Sequence, residues 1–223
     1  MKSGDFVLVD YIGRIKDSGE IFDLTKEEVA RKENIFNEKF KYGSVPMVID
    51  SNFVLKGLSE ALKEMKVGEK KTVEISPEKG FGERNPEFIK LIPESRFKEQ
   101  NIEATPGSFV TINKIRGRVM SADGGRVRAD FNHPLAGKTL QYELEIVGEI
   151  AEENEKVKAV TFFFTGVDKQ DLDVICNAGE AEVKFKNKID MHSETKQQMA
   201  NEIIRWIKGI ERVKFVDVFE KTD

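Results

Sequence analysis

Two histidines and one cysteine are the side chains of this 223-residue sequence best suited to metal binding or nucleophilic catalysis. His133 and His192 lie far apart, Cys176 has no second cysteine to join it, and no H-x-x-x-H spacing occurs. A Ser-His-Asp triad would have to be built on one of the two histidines, and no nucleophile elbow marks a serine. The stretch GFGERN lacks the third glycine and the Lys-Ser/Thr ending of a phosphate loop. The sequence therefore predicts no metal, no cofactor and no conventional nucleophile.

A lone aromatic residue is the notable feature of that same stretch. Strand-like alternation ends at Pro77, and Phe81 follows between two glycines, which allow close backbone approach. A clean sheet-like pattern returns only at Leu140. We therefore expect Phe81 to stand at the lip of a sheet, next to a long inserted segment.

The composition narrows the class of protein. Charged residues make up 34% of the chain and the net charge is −4, so the basic excess of a nucleic-acid platform is missing. A single cysteine forms no internal disulfide and needs no oxidising compartment. The apolar run in the first residues, MKSGDFVLVDY, is too short for a signal sequence, and no run of apolar residues approaches the length of a membrane span. We expect a cytoplasmic protein with no membrane partner and no nucleic-acid partner.

The strands that would position a site follow from period-two alternation. FVLVDYIGRI places Tyr11 on an apolar face, and LQYELEIVGE does the same for Tyr142. Shorter strands are predicted at IFD, VPMVI and KKTVEIS. Together they predict an antiparallel sheet.

One amphipathic helix is predicted to lie against this sheet. Its apolar residues repeat at helical spacing, and Gly68 suits a left-handed cap at its end; the repeating residues are Leu55, Leu58, Leu62 and Met65. Thr25, with Glu28 three residues on, predicts the capping box of a second, short helix. A twisted sheet wrapped on a central helix makes the predicted fold class α+β.

Two segments fall outside that sheet. Residues 84–130 contain a short helix at ESRFKEQN and a hairpin, SFVTINKIRGRVMSADGGRVRAD, that turns at Asp123-Gly124-Gly125. Beyond the charged linker EIAEENEKVK, a C-terminal α/β module is predicted as the strand AVTFFFT, the helix DKQDLDVICN, the strand EAEVKFKNKI, a helix from Ser193 to about Lys208 and the strand VKFVDVFE. The second segment is small for an independent core.

Three stretches together resemble the FKBP-type peptidyl-prolyl isomerases, and within them the SlyD-like and long archaeal members: VDYIGRIKDSGEIFD, VLKGLSEALKEMKVGEKKTVEISPEKGFG and NHPLAGKTLQYELEIVGEI. The resemblance covers residues 1 to about 150. It implies a discontinuous isomerase domain of residues 1–83 and 131–151, whose flap carries an insert-in-flap chaperone domain at 84–130. Residues 156–223 would form the extra C-terminal domain.

The resemblance also implies the residues of a prolyl pocket: Tyr11, Phe22, Asp23, Val54, Leu55, Leu58, Phe81 and Tyr142. Phe22 would form the wall, the helix start the floor, and the Tyr11 hydroxyl would satisfy the Asp23 carboxylate, since a bare carboxylate beside apolar rings is costly. The alternative is that the tyrosines and leucines are plain core residues and that Asp23 caps a turn.

This sequence departs from the family pattern at two of these positions. Leu58 stands where the floor tryptophan is usual, and Phe81 stands where a tyrosine hydroxyl would donate to the substrate carbonyl. His133, in the NHPLAG motif, is interpreted as fixing the return of the chain from the insert; the alternative is a role at the edge of the pocket.

The insert is predicted to bind unfolded clients through a surplus of apolar residues, with its arginines and lysines as a solvated rim; the alternative for most of them is a small core. The client-binding residues are predicted to be Phe88, Ile89, Leu91, Ile92, Phe97, Ile115, Val119 and Met120. The expected partners are unfolded or partly folded proteins with exposed X-Pro segments.

The sequence thus predicts a peptidyl-prolyl cis-trans isomerase and chaperone. The alternative is a non-catalytic holdase in which the pocket only binds chains. A nickel metallochaperone is disfavoured, because VFEKTD carries no histidine or cysteine cluster. A homodimer is expected through the C-terminal domain, because so small a module cannot cover both faces of its sheet and all of its longer helix, and a two-fold copy would cover the surplus, such as Phe163 or Trp206. The alternatives are that both helices pack on one face and leave the other exposed, or that these aromatic residues bind clients.

Overall fold

The computed structural model of the protein describes residues 1–99, 101–112 and 115–218. Contacts between backbone positions divide the chain into two compact units: Met1–Glu74 together with the chain from Gln141 onward, and Ile75–Leu140. The domain boundaries expected from the sequence, at residues 84 and 130, lie inside the second unit and stay a prediction. Among the described residues, no helix combines the length and the apolar character that crossing a membrane requires.

The bounds of the regular elements are as follows. The strands are β1 (Phe6–Ile15), β2 (Ile21–Leu24), β3 (Val45–Val48), β4 (Lys70–Ile75), β5 (Ile89–Pro93), β6 (Phe109–Ile112), β7 (Ile115–Asp123), β8 (Arg126–Asp130), β9 (Leu140–Glu149), β10 (Leu172–Asn177), β11 (Glu180–Phe185) and β12 (Arg212–Val216). The α-helices are α1 (Glu27–Lys32), α2 (Lys56–Lys63), α3 (Glu94–Lys98), α4 (Glu153–Thr165) and α5 (Ser193–Trp206).

The first unit is built on a five-stranded sheet of order β2-β1-β9-β4, with β3 also paired to β1. Both β2 and β3 run antiparallel to β1. The core of this unit contains completely buried side chains from both strands and the helix: Val7 and Val9 of β1, Ile146 of β9 and Leu62 of α2. Their burial agrees with the period-two alternation of the strands and the apolar repeat of the helix. The predicted α+β class, with antiparallel strands and a central amphipathic helix, is confirmed.

Two details of the helix ends were predicted wrongly. The helix α2 ends at Lys63, and Gly68 (φ +82°) instead precedes β4, where its N–H donates to the carbonyl of Ile146 at 2.7 Å. Thr25 caps nothing, because the position before α1 is Lys26 and no side chain caps that helix. The Thr25 hydroxyl accepts a hydrogen bond from the Tyr11 N–H at 2.9 Å instead.

The C-terminal module is a three-stranded sheet of order β10-β11-β12. β10 and β11 are antiparallel, and β11 and β12 are parallel and linked through α5. The strands β11 and β12 and the helix α5 lie where the sequence predicted them, although Phe219 and Glu220 of the last predicted strand lie outside the described residues. Both helices share one core with the sheet, which includes Val160 of α4 and Met199 of α5.

The first half of this module was predicted wrongly. AVTFFFT is the second half of the helix α4, not a strand, and the predicted linker supplies its start. The three phenylalanines suggested a strand. The i, i+3, i+4, i+7 spacing of a helix face is nevertheless present, in Val157, Val160, Thr161 and Phe164, and the first three of these are buried. Conversely, Leu172–Asn177 is a strand and not a helix, with Leu172 and Val174 buried at a spacing of two.

The five-stranded sheet and the C-terminal module share a core. Phe6 of β1 and Val48 of β3 belong to the same buried cluster as the helices of the module. The rings of Phe53 and Phe163 lie 4.6 Å apart, and a Cβ built on Gly4 would lie 3.6 Å from Trp206. Phe163 and Trp206 therefore pack within their own chain, and the reason given above for a two-fold copy does not hold at these residues.

The second unit contains a four-stranded antiparallel sheet of order β5-β8-β7-β6. Its small core consists of Phe97 of α3 and of strand residues Val110, Val119, Val127 and Ala129. The predicted turn at Gly124-Gly125 joins β7 and β8. Gln100 of the predicted helix and Asn113 and Lys114 of the predicted hairpin lie outside the described residues.

Candidate active site

The predicted site residues of β1 and β2 form one polar contact. The Tyr11 hydroxyl donates a hydrogen bond of 2.8 Å to Oδ2 of Asp23. Both residues are half-buried, so the bond satisfies a carboxylate that would otherwise lie unpaired beside aromatic rings. The predicted partnership of Tyr11 and Asp23 is present.

A β-bulge turns Phe22 toward the same place. Gly13 pairs with Asp23 and Arg14 pairs with Ile21, so Phe22 is an extra residue on β2. Neighbours in a regular strand point to opposite faces, and a bulge lets two successive side chains serve one site. The Phe22 ring meets Tyr142 edge to face, with centroids 5.7 Å apart, and Tyr142 lies 5.8 Å from Tyr11.

Gly13 makes room for this aromatic cluster. A Cβ at this position would lie 2.8 Å from Cζ of Phe22 and 3.1 Å from Cε1 of Tyr142. A separation below 3.0 Å requires the ring to shift. Gly13 was not among the predicted site residues, although a glycine inside an otherwise regular strand indicates a bulge or a close approach.

The cluster favours neutral phenols. Burial raises the pKa of Tyr11 well above its ordinary value of 10.0, and the charge and the hydrogen bond of Asp23 raise it further. Burial, with the Asp23 charge second, also raises the pKa of Tyr142. Both hydroxyls therefore remain protonated donors throughout the neutral range.

The predicted floor residues lie in the same unit, around the start of α2. Val54 is 8% exposed, Leu58 is 4% exposed, and Leu55 is the half-buried residue that precedes the helix. Leu58 also has the burial of a plain core residue, so the alternative stated above stays open. Phe53, directly before Val54, is the ring that packs against Phe163 of α4.

Phe81 lies in the second unit, where its ring stacks on His133. The two ring centroids are 4.4 Å apart and the planes differ by 3°. His133 Nδ1 accepts a hydrogen bond from the N–H of Leu135 at 3.2 Å, which orients the ring. The role predicted for His133, fixing the return of the chain from the insert, stays a prediction.

The predicted client-binding residues divide into surface and core. Phe97 and Val119 are each 1% exposed and belong to the core of the insert, so their side chains are not available to a client. Ile89 and Ile92 are half-buried. The exposed members are Phe88, Leu91, Ile115 and Met120.

One further cavity, in the first unit, lies away from the predicted site residues. No group of three or more His, Cys, Asp and Glu side chains among them could hold a metal ion. A cavity of about 570 Å³ lies between β1, β3 and α4, lined by Leu8, Pro46, Ile150 and Phe162 among others, and none of its lining residues is a predicted site residue. This cavity lies where the sheet packs against the C-terminal module.

Comparison with known proteins places the chain in a family. The short-type peptidyl-prolyl cis-trans isomerase of Methanocaldococcus jannaschii is 34% identical over 146 residues, which are 66% of this chain and 92% of that protein. A probable FKBP-type 16 kDa peptidyl-prolyl cis-trans isomerase of Pseudomonas fluorescens is 35% identical over 136 residues, 58% of this chain and 89% of that protein. The SlyD protein of Helicobacter pylori is 26% identical over 151 residues, 66% of this chain and 74% of its own length.

A family model described as FKBP26, IF domain, matches residues 90–135. This match lies within the second unit and supports the insert-in-flap type. The chain belongs to the family of FKBP-type peptidyl-prolyl cis-trans isomerases. The resemblance read from the sequence is therefore confirmed.

Proposed function

We propose that this chain catalyses the cis-trans isomerisation of X-Pro bonds in other proteins and holds unfolded clients through its insert. The observation that supports the first part best is the cluster of Tyr11, Phe22, Asp23 and Tyr142, in which three rings surround one hydrogen-bonded carboxylate. A site with rings and a single carboxylate is well suited to a reaction that breaks no covalent bond.

The chemistry requires only that the peptide bond lose its planarity. The barrier of about 18–20 kcal/mol is the resonance energy lost as the C–N bond twists, and the uncatalysed step takes about 10–100 s. A twisted imide has less charge separation than a planar one, so an apolar, dry surface stabilises the transition state relative to the ground state. Reaching millisecond turnover means lowering the barrier by about 5–7 kcal/mol.

Each residue has a defined part in this proposal. Phe22 and Tyr142 would enclose the proline ring, and Tyr11 would hold Asp23 in one orientation. Asp23 would be the polar group that faces the twisting bond. Val54 and Leu55 would form the floor, and Phe81 would contact the substrate with its ring alone, since it has no hydroxyl.

A protease-free assay of a cis-prolyl tetrapeptide tests the activity directly. We expect faster relaxation to the trans form with the full chain than in buffer. Relaxation at the buffer rate, together with suppression of aggregation of an unfolded protein, would establish the non-catalytic holdase instead. The readout separates the two because a holdase binds chains without lowering the isomerisation barrier.

The chaperone part rests on the insert. The insert exposes three large apolar side chains to solvent: Leu91 by 58%, Ile115 by 58% and Phe88 by 51%. The expected partners are unfolded proteins with accessible X-Pro bonds. The measurement is light scattering of a heat- or denaturant-unfolded protein with and without the full chain.

The homodimer and the cytoplasmic location stay predictions. Ile175 and Ile204 of the C-terminal module are exposed apolar residues that a second copy would cover, but charged residues such as Lys184 and Lys214 surround Ile175 on its sheet. Light scattering of the full chain at micromolar concentration gives the mass directly, and cell fractionation gives the location.

A further inference from the structure

One face of the insert sheet is rich in arginine. Residues that pair directly across antiparallel strands share a face, and alternate residues along a strand share it too. Val127, Ala129, Val110 and Val119 define the core face by their burial. The opposite face carries Arg116 and Arg118 of β7 and Arg126 and Arg128 of β8, all four of them exposed; we call it the arginine face.

Apolar side chains lie between these arginines. Arg128 pairs with Leu91, which is 58% exposed, and Arg118 pairs with Phe109, which is 51% exposed. The guanidinium of Arg116 lies 4.1 Å from the centre of the Phe109 ring. The arginine face therefore sets cations beside apolar side chains of the neighbouring strands.

The acids on this face do not neutralise it. Asp130 forms an ion pair with Arg84, which is not one of the four arginines of this face, and accepts a hydrogen bond from the Asn132 side chain. Asp123 accepts a hydrogen bond from the N–H of Gly124. Among the described residues, no ion pair of 4.0 Å or less involves any of the four arginines. The face thus presents cations without a bound counter-charge.

The rest of the chain has the opposite charge. Residues 75–140 contain eleven Lys and Arg against eight Asp and Glu; the whole chain has 36 against 40, so the remainder has 25 against 32. A basic insert on an otherwise acidic protein is a charge asymmetry, and it favours a partner that carries negative charge where it meets the insert.

We propose that the arginine face selects unfolded client segments that carry Asp or Glu and aromatic or aliphatic residues on one side of an extended chain. This inference rests on the client-holding function proposed above and adds a charge preference to it. Every second side chain of an extended chain lies on the same side, so acidic and apolar residues that take turns at every second position would all face the insert. Their carboxylates would then meet the guanidiniums, and their apolar side chains would meet Leu91 and Phe109. Arginine binds carboxylates with two parallel hydrogen bonds, which adds geometric specificity.

A polypeptide fits this surface better than a nucleic acid. Sequence-tolerant binding of single strands uses successive aromatic rings on which bases stack. The arginine face has one exposed ring, Phe109, and Arg116 already covers it. The net charge of the chain is −4, which disfavours a polyanion at longer range.

The test measures anisotropy of labelled peptides without proline, so that the prolyl site does not contribute. One short peptide carries Asp/Glu and Phe/Leu in turn at every second position, with Ser between them, its counterpart has Lys at every acidic position, and an oligo-dT strand is the third probe. The full chain is compared with R118E/R128E and with a charge-matched control, K90E/R96E. Lys90 lies on the opposite face of the sheet and Arg96 on α3.

We expect the acidic peptide to bind at least about tenfold more tightly than the basic one at low salt, with the difference shrinking as salt screens the charges. R118E/R128E should remove or reverse this preference, and K90E/R96E should keep it. Tetrapeptide turnover should be unchanged in both, and far-UV circular dichroism and thermal unfolding like those of the wild type would show that the variants fold.

Three outcomes would overturn the inference, and they are distinguishable. Equal binding of both peptides means that the insert holds clients without a charge preference. No binding of either peptide means that the client-holding function itself fails. Tighter binding of oligo-dT than of the acidic peptide would make the arginine face a nucleic-acid site.

Discussion

The Tyr11 hydroxyl and the Asp23 carboxylate are joined by a 2.8 Å hydrogen bond between β1 and β2. The bond fixes the Asp23 carboxylate, which directly follows Phe22 in the chain. We expect Asp23→Ala and Phe22→Ala each to lower kcat/KM for a cis-prolyl tetrapeptide by at least tenfold, about 1.4 kcal/mol or more of transition-state stabilisation.

The control for this pair is Asp17→Ala, an exposed carboxylate in the turn between β1 and β2. It should leave kcat/KM unchanged. Folded Asp23 and Phe22 variants with wild-type rates would refute the site assignment.

The raised pKa of Tyr11 predicts how stability depends on alkaline pH. The folded state keeps the phenol protonated at pH values where the unfolded chain, with a pKa near its ordinary 10.0, has lost the proton. The unfolded state then binds fewer protons, so the free energy of unfolding falls as pH rises above about 10. Urea unfolding between about pH 8 and pH 11 should give a shallower decline for Tyr11→Phe than for wild type. Equal slopes would contradict the burial of this phenol.

Gly13 gives a test that leaves every polar group in place. Gly13→Ala introduces a Cβ 2.8 Å from the Phe22 ring, so the ring must move away from Tyr142. We expect a loss of about 1–3 kcal/mol in unfolding free energy, as for other overpacked sites, and at least a fivefold (roughly 1 kcal/mol) loss in kcat/KM. Gly148→Ala in β9, where a Cβ meets nothing within 4 Å, is the matched control. Similar activities for the two variants would mean that the exact position of Phe22 is unimportant.

The insert can be removed where its ends meet. Arg84 and Asp130 form an ion pair, and the N–H of Gly137 donates to the carbonyl of Gly82 at 2.8 Å, so a short loop can close the gap. Replacing residues 84–130 with a short Gly-containing loop should leave tetrapeptide turnover largely intact. Refolding of a proline-limited protein should slow far more, because tethering raises the local concentration of client at the pocket. Equal losses on both substrates would reduce the insert to a part that only shapes the flap.

The packing of Phe53 on Phe163 predicts a stability effect that reaches the site. Phe163→Ala should lower the unfolding free energy by about 1–3 kcal/mol, less than a fully buried phenylalanine because the ring is half-buried. It should also lower kcat/KM, since Phe53 directly precedes Val54 and Leu55. Ile175→Ala, at a side chain that is 63% exposed, should change stability by no more than about 0.5 kcal/mol. An effect on stability with unchanged turnover would show that the module supports the fold alone.

Period-two alternation located β1 and β9 to the residue, because both strands are long and buried on the face that carries the tyrosines. The same rule misassigned α4, since three successive phenylalanines have high strand propensity while the helix face that decides the outcome begins in a charged stretch. The packing of Val157 and Val160 in one core with Phe6 favours the helix there and outweighs the strand propensity of the phenylalanines.

The residues of the candidate site could be predicted from the sequence through the family resemblance. The bulge that brings Phe22 and Asp23 together could not be predicted. A bulge shifts register by one residue, and no pattern in a four-residue strand fixes register that closely. Thr25 was found for the wrong reason, because its hydroxyl bonds the backbone of Tyr11 and not the end of a helix.

The core that Phe6 and Val48 share with α4 and α5 has a consequence for synthesis on the ribosome. β1 leaves the ribosome early, but its neighbour β9 follows only after the insert, and the side chains that cover Phe6 are translated later still. Such long-range pairing delays folding and leaves apolar surface open to other nascent chains. The isomerase sheet of a chain proposed to help other proteins fold must therefore wait until most of its own sequence has been translated.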